Sequence, residues 1–522
     1  MLELADGTHF LGSDDLGGRL YVRNHYEKLF ETVQGLVNSG SRRVLVTGNP
    51  GIGKSCFGLY VLSMLAQERA VTVVWQNGRR GHRYLFKEGA VVMGGMESFV
   101  PELGNRQAWC VLYLAICYAP FVVHTTNQML PKISRRCMID EPAGEHSPVE
   151  FDAFTMMFSS PKKENYKNLR KLHKCATLYM PVWDFDEIEE CRRLMFTNLT
   201  AERVRELFLR WGGVPRFVLE KADEESEQNS LDAVLSTAAF AKLEQAAGAI
   251  DMSDSLSHRL MHMVVSDDFK MQYVTFASPF VAKSIVSGAQ SRRRNDILTF
   301  VNESMVSGIL GPLRGALFEE LAHEALVAGG DFEVRALDSQ NSDRLTIAPS
   351  TSRWFFAKDL SDVGQSSADY CRPAQKNFPV VDSLRRSGQL FQMTVSPQHS
   401  VNRTKLQSIL EAMDDVETYT FFFVVPDTSF KKKFTKTLAE NLPVVDSGRL
   451  GKVKYMLLSI PVSRPQAGGI KRQQRPESCL KFSKGTPSGT PCPKVPLRVV
   501  PQGGYPRGAQ ALRHYNTFIP II

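Results

Sequence analysis

Arg43-Val-Leu-Val-Thr-Gly-Asn-Pro-Gly-Ile-Gly-Lys-Ser55 is an apolar run followed by a glycine-rich turn, and an apolar helix-forming stretch, Cys56–Leu65, comes after it. A strand, GxxxxGKS and a helix in that order make the pattern of a P-loop. Glycines at 48, 51 and 53 let the backbone curl so that its N–H groups point inward, while the following helix presents the positive end of its dipole. The reading makes Gly48, Asn49, Pro50, Gly51, Ile52, Gly53, Lys54, Ser55 and Cys56 the binding residues for ATP. Lys54 is expected to reach the β- and γ-phosphates, and the Ser55 hydroxyl to ligate Mg²⁺. The competing reading is a fortuitous glycine-rich turn.

Phosphate chemistry needs more than a cradle, because a carboxylate on a neighbouring strand must complete the metal site and position water. Arg136-Cys-Met-Ile-Asp-Glu141 supplies the candidates: Asp140 for the magnesium shell and Glu141 to polarise the attacking water, against a surface Asp-Glu pair at a turn. Asp184 and Asp186 are weaker alternatives. Phe154-Thr-Met-Met-Phe-Ser-Ser-Pro161 reads as a strand ending in hydroxyls, which makes Ser159, with Ser160, a polar sensor of the γ-phosphate. Trp211-Gly-Gly-Val-Pro-Arg-Phe217 offers a tight turn and Arg216, which is expected to touch phosphate.

Outward from the loop, strand-like runs (Val44–Thr47, Val71–Trp75, Phe154–Ser159) alternate with helical stretches such as His25–Val37, the pattern of a parallel α/β sheet over residues 1–218. Residues 219–310 read as helical, with apolar positions three and four apart, a lid or linker. Residues 311–460 read as a second α/β domain: a helix at Leu313–Ala328, then strands at Phe332–Leu337, Leu390–Ser396, Thr418–Val425 and Val453–Ile460, with a polar loop at Asp338–Ser352. Residues 461–522 hold ten of the chain's 27 prolines and are expected to be disordered.

Composition bounds the function class. The 522 residues suffice for two or three domains, and 43% apolar with 23% charged residues is an ordinary globular balance. The net charge of +8 resembles a nucleic-acid footprint. However, the tail carries ten Lys/Arg against the single acid Glu477, a local +9, which leaves the preceding residues at −1. Only the tail is therefore expected to hold phosphate backbones without specificity. Nine cysteines without CxxC pairs suit a reducing compartment. The acidic start lacks the basic and apolar regions of a secretory signal, and the most apolar run, Trp109–Val123, is about fifteen residues where a span needs roughly 20. Neither secretion nor a membrane span is expected. His258 and His262 are four apart, but Met261 and Met263 beside them point to an apolar setting and not to a metal.

GNPGIGKS, the strand ending FSSP, YMPVWDFDEI (Tyr179–Ile188) and GGVPRFVL (Gly212–Leu219) together resemble the Crinkler effector and retrotransposon-hot-spot class of NTPases, over roughly Leu20 to Ile460. The resemblance implies an AAA+/STAND-like P-loop ATPase joined to a C-terminal effector domain, often restriction-endonuclease-like, with action in nuclei. It also implies a small header for translocation into a host, whereas the ATPase pattern here begins close to Met1. A second departure is Val111–Arg135, which separates NRQAWC from RCMIDEP and reads as an insertion.

A restriction-type core needs an acid at the end of one strand and E/QxK on the next, to bind Mg²⁺ and activate water. Asn377–Ser383 and Gln389–Ser396 read as a strand pair joined by a basic turn, Arg385-Arg386, which places Asp382 and Gln392 in those roles. Glu319 lies on the preceding helix, near one face with His323 and Leu326. The catalytic set is thus Lys54, Glu141 and Arg216 in one domain and Asp382, Gln392 and Glu319 in the other, with Asp382 also a metal candidate. The expected lysine is replaced by Thr394, with Lys405 on the next helix as a substitute. Solvated carboxylates at a turn and on a helix face are the bland alternative.

Three functions compete: an ATPase that regulates a nuclease, an ATP-gated module that holds nucleic acid or a host or nuclear protein without cutting it, and a decayed mobile-element product. DNA is the expected polymer ahead of RNA, a homo-oligomer is one form the ATPase takes, and an intracellular, nuclear location rests on the resemblance and the basic residues Lys471, Arg472 and Arg475.

Overall fold

In the computed structural model the chain divides into two units, Met1–Arg464 with Ile521–Ile522, and Pro465–Pro520. The structure describes residues 1–462 apart from 13–15, 68–69, 78–81, 96–97, 114–151, 163–165, 238–254, 289–290, 303–309, 338, 340, 356–368, 375–377, 379, 397–400 and 431–447, and all of these belong to the first unit. Asp140, Glu141, most of the 111–135 segment and the tail beyond Val462 lie outside the described residues.

The architecture is mixed α/β. A short antiparallel pair, β1 (Leu2–Glu3) and β2 (Arg19–Leu20), precedes α1 (His25–Asn38). Then come β3 (Arg43–Thr47), the glycine loop, α2 (Lys54–Gln67), β4 (Val73–Asn77), β5 (His82–Lys87), β6 (Ala90–Gly95), β7 (Trp109–Tyr113), β8 (Phe154–Phe158) and β9 (Cys175–Tyr179). The first sheet runs β6-β5-β4-β7-β8-β3-β9. From β4 to β9 its neighbours are parallel, and the hairpin β5–β6 extends one edge antiparallel.

Covered faces explain why RVLVT reads as a continuous apolar run and not an alternation. Val44 and Val46 pack with Met156 and Phe158 of β8 and with α1 and α2 on one side. Leu45 and Met157 meet Tyr166 and Leu169 on the other. Burial of each such side chain contributes about 1.5–3 kcal/mol. Val111–Tyr113, the first residues of the 111–135 segment, complete β7 in the middle of this sheet.

The 219–310 region corrects the all-helical expectation. Among its helices Glu225–Thr237, Ser255–Leu260, Pro279–Ser287 and Ser291–Asn302 stands an antiparallel hairpin, β10 (Met261–Val265) with β11 (Met271–Phe276). Met261, His262 and Met263 are all buried, so β10 is covered on both faces and shows no period-two alternation to distinguish it from a helix.

A helix at Gly311–Ala328 leads to the second sheet: β12 (Gly330–Ala336), β13 (Asp343–Ile347), β14 (Ser352–Phe355), β15 (Tyr370–Pro373), β16 (Ser383–Arg385), β17 (Gln389–Met393), β18 (Tyr419–Pro426) and β19 (Val453–Ile460). Their order is β13-β12-β19-β18-β17-β16-β15-β14. The polar loop expected at Asp338–Ser352 contains β13, an edge strand that turns only Leu345 and Ile347 inward and is polar because its other side meets solvent. The strand expected over Asn377–Ser383 is corrected: β16 begins at Ser383 and takes in Arg385, so Asp382 precedes the strand and the turn to antiparallel β17 is Arg386–Gly388. Phe391, Phe422 and Leu458 pack under Leu317, Phe318 and Leu321 of the Gly311–Ala328 helix, in a core continuous with Val274 and Phe276 of β11 and with α2. Leu384, Leu390, Phe421 and Phe423 face Leu406 and Ile409 on the opposite side.

Candidate functional site

β3 ends at Thr47 between β8 and β9, and the loop Gly48–Gly53 turns over their carboxyl ends before α2 begins at Lys54. That edge of a parallel sheet is where ligands bind. Gly48, Gly51 and Gly53 have φ of 146°, 81° and 90°, values that residues with a Cβ rarely adopt. Space forbids a side chain too: a Cβ at Gly48 would lie 2.6 Å from the Met180 carbonyl oxygen, and one at Gly51 would lie 2.9 Å from Arg216 Cβ.

The loop's carbonyl oxygens are engaged by side chains and by one backbone N–H. Lys54 Nζ donates to those of Gly48 (2.9 Å) and Asn49 (2.7 Å), Trp183 Nε1 to that of Ile52 (2.9 Å), and Tyr26 Oη to that of Gly53 (3.1 Å). Arg216 N donates to the Gly51 oxygen (3.3 Å). These bonds fix the loop's backbone, whose N–H groups are the donors an anion would use. Ile52, fully buried, anchors the loop in the core. The Asn49 side chain is committed elsewhere: Nδ2 donates to Met261 O (2.9 Å) and Oδ1 accepts from Met263 N (2.9 Å), which completes the open edge of β10.

Around the loop the electrostatics favour an anion. Burial, and then the Arg216 charge, lower the Lys54 pKa to about 7. Arg216 stands half-exposed, 4.0 Å from Glu220, at the start of a short π-type helix, Arg216–Glu220. Burial raises the Cys56 thiol to about 11, so it stays protonated at neutral pH. Thr47 and Ser159 are buried, and among the described residues neither hydroxyl has a hydrogen-bond partner.

A second layer holds the first. Gly213 O accepts from Trp183 N (2.9 Å), and a Cβ at Gly213 would lie 1.8 Å from Trp183 O, so the segment GGVPR is seated directly on YMPVW. Arg23 stacks over the Trp183 ring at 4.7 Å, donates to Pro181 O and Val182 O, and pairs with buried Glu187 (2.7 Å). Burial alone would raise the Glu187 carboxyl, but His25, 3.4 Å away, and the hydrogen bonds from Arg23 outweigh it and hold the pKa at about 2. Asp184 caps the helix Phe185–Met195 through Glu187 N (2.8 Å), which spends it locally.

The residues singled out in the second α/β region also converge. Asp382 Oδ2 accepts from Gln392 Nε2 (2.9 Å) and Met393 N (2.6 Å). Burial and then the nearby Glu319 charge push the Asp382 pKa well above the usual carboxylate range, against the opposing Met393 N–H and Arg372. His323 Nε2 lies 3.5 Å from Glu319, and its Nδ1 is 2.7 Å from Tyr370 Oη, which accepts from Ser383 Oγ (2.7 Å). Burial, helped by Arg372, holds the His323 pKa well below the ordinary value, so the ring is neutral. Arg372 itself is forked onto Glu320 and stacked over Trp354 at 4.2 Å. Thr394 Oγ1 is used in a turn with Ser396 (2.6 Å to its carbonyl), and Lys405 stands exposed on the first turn of the helix Arg403–Ala412. Among the described residues no group of three His, Cys, Asp or Glu is placed to hold a metal ion.

Sequence reasoning named the loop, Arg216, Ser159, Asp382, Gln392 and Glu319. It gave no role to Tyr26, Trp183, Arg23, Glu187 or Arg372. The YMPVWDFDEI segment was the available signal for Trp183 and Glu187, since an apolar run closed by an N-cap places its last residues at a strand's carboxyl edge.

No protein-family model matches the chain. It is similar to two proteins of Phytophthora infestans, Crinkler effector protein 16 and Crinkler effector protein 15, at 23% identity to each. The similarity covers 81% of this chain and 65% of each relative, so the chain spans just under two thirds of the length of the curated relatives it matches.

Proposed function

We propose that the chain binds ATP as its magnesium complex at the glycine loop, as a P-loop NTPase of the AAA+/STAND kind, and that occupancy of this site governs a restriction-endonuclease-like domain acting on nucleic acid. The observation that carries the reading is the loop itself: five carbonyls engaged, three glycines at positions that disfavour a side chain, and the Lys54 ammonium held against Gly48 and Asn49 with no carboxylate bonded to it among the described residues. Such a concavity fits a polyphosphate. Ser55 would hold magnesium, whose role is to neutralise phosphate charge. Arg216 would approach the phosphates across Gly51, and the unpartnered Ser159 hydroxyl suits a sensor.

Coupling has a physical route. Asn49 bonds the loop to β10, β11 packs on the helix Gly311–Ala328, and that helix carries Glu319 and lies against β17 with Gln392. In this reading residues 1–218 are the NTPase, 219–310 the linker and 311–460 the effector domain. DNA is the substrate ahead of RNA. The likeness to Crinkler effectors supports an effector role; host or nuclear proteins as further partners, a nuclear site of action and a homo-oligomeric form belong to the proposal itself.

Titration calorimetry with MgATP, and turnover with and without DNA, test the proposal on wild type and Lys54→Ala. Binding lost in the variant is expected; no heat with wild-type protein would sink the nucleotide reading. A second reading, nucleic-acid binding without cleavage, is favoured by Thr394, whose hydroxyl is spent on Ser396 where a nuclease would place a lysine. Association that survives Asp382→Ala, with DNA and RNA intact in Mg²⁺ or Mn²⁺, supports it.

A further inference from the structure

β3 and β8 are parallel neighbours with Val46 opposite Phe158, and Ser159 N donates to Val46 O (3.1 Å). Thr47 and Ser159 are thus the next residues on the two strands, at the edge from which the glycine loop departs. Strand alternation sets both on the face of Leu45 and Met157. Thr47 is 0% and Ser159 1% exposed, and neither hydroxyl has a hydrogen-bond partner among the described residues.

A buried hydroxyl without a partner is destabilising and rare, and two side by side point to a third group that bonds both. Neighbouring strands are about 4.8 Å apart, and an O–H···O bond is about 2.8 Å long, so a single oxygen between the two hydroxyls can be shared. The Lys54 ammonium rests on the carbonyls of Gly48 and Asn49, the residues that directly follow Thr47. An anionic oxygen that draws Lys54 off those carbonyls comes to lie beside Thr47.

We propose that Thr47 and Ser159 together receive one oxygen of the terminal phosphate, so that the pair distinguishes a triphosphate from a diphosphate. Thr47 is the new element, and the inference rests on the nucleotide site proposed above. Both hydroxyls donate to the oxygen, and neither takes part in a covalent step.

The test is calorimetry on the full chain with magnesium and either ADP or the non-hydrolysable β,γ-imido analogue of ATP. Wild type is expected to prefer the triphosphate analogue. Thr47→Val, close in shape but without the hydroxyl, is expected to reduce that preference about tenfold or more, the worth of a hydrogen bond to a charged group. Its ADP affinity should stay within about twofold, which also shows that the site is folded; Thr47→Ser should keep the preference, and Ser159→Ala should lower it. An unchanged preference in both Thr47→Val and Ser159→Ala overturns the proposal and assigns the pair to packing or a buried water. If wild type binds neither nucleotide, the nucleotide site fails and this assignment fails with it.

Discussion

Raising the pH from 7 to 9 should weaken MgATP binding to the wild-type protein and leave it unchanged in Lys54→Arg. Among the described residues Lys54 donates only to the Gly48 and Asn49 carbonyls, and burial with the adjacent Arg216 charge brings its pKa to about 7. A bound polyphosphate favours the ammonium and returns the pKa toward the ordinary lysine value, so binding takes up a proton wherever the free amine is neutral. With a free-state pKa of about 7, about half the molecules carry the charge at pH 7 and about one in a hundred at pH 9. Affinity should fall roughly fiftyfold, about 2.3 kcal/mol at about 1.36 kcal/mol per tenfold. Calorimetry in buffers of different ionisation heat should report uptake of about half a proton at pH 7 and nearly one at pH 8.5. MgATP is fully ionised throughout this range, and a guanidinium does not titrate in it, so Lys54→Arg isolates the amine. Arg216→Ala removes the second cause of the shift and should move the midpoint upward. Wild-type binding that is flat from pH 7 to 9 without proton uptake would refute the electrostatic account of the loop.

Asn49→Ala leaves Met261 O and Met263 N buried without partners and should cost about 2–4 kcal/mol by urea unfolding, with increased hydrogen exchange across β10. Gly213→Ala forces a Cβ to 1.8 Å from Trp183 O, so the chain should lose its folding transition or unfold at much lower denaturant. The Glu187 carboxyl, folded pKa about 2 against an ordinary 4.5, contributes stability that is fully present above pH 4.5 and lost as pH falls through 2. Arg23→Ala strands that carboxylate in the interior and should cost about 3–5 kcal/mol at pH 7 in denaturant titrations, with a weaker acid dependence than wild type.

The loop and its parallel sheet were legible because their local chemistry is self-sufficient: glycines at fixed offsets, a doubly covered strand and an apolar helix need no distant partner to be recognised. What escaped was either covered on both faces or supplied from afar. Buried Met261, His262 and Met263 concealed β10 inside a helical pattern, while solvent-facing Asp343, Arg344 and Thr346 concealed β13 inside an apparent loop. Tyr26 and Trp183 reach the loop from positions 27 and 131 residues distant in sequence, and no periodicity connects a phenol or an indole to a particular carbonyl. Asp382, Gln392 and Glu319 were found because each lies on or beside a strand or faces along a helix, but the neutrality of His323 and the prior engagement of Arg372 by Glu320 exist only in the packed interior.

Charge balance separates the two sites. Among the described residues the glycine loop has two cations, Lys54 and Arg216, and one acid paired with them, Glu220 at 4.0 Å from Arg216, a balance suited to an anion. The second cluster is the reverse. Glu319 and Asp382 lie close enough for each charge to disfavour the other, Arg372 is already forked onto Glu320, and Thr394 brings no charge. A phosphodiester approaching that cluster meets repulsion unless Asp382 keeps a proton or a divalent cation bridges the two. DNA association that requires Mn²⁺ and is abolished by Asp382→Ala therefore places the polymer at the cluster. Association that persists in a chelator and ignores Asp382→Ala places it elsewhere on the chain and removes the nuclease reading.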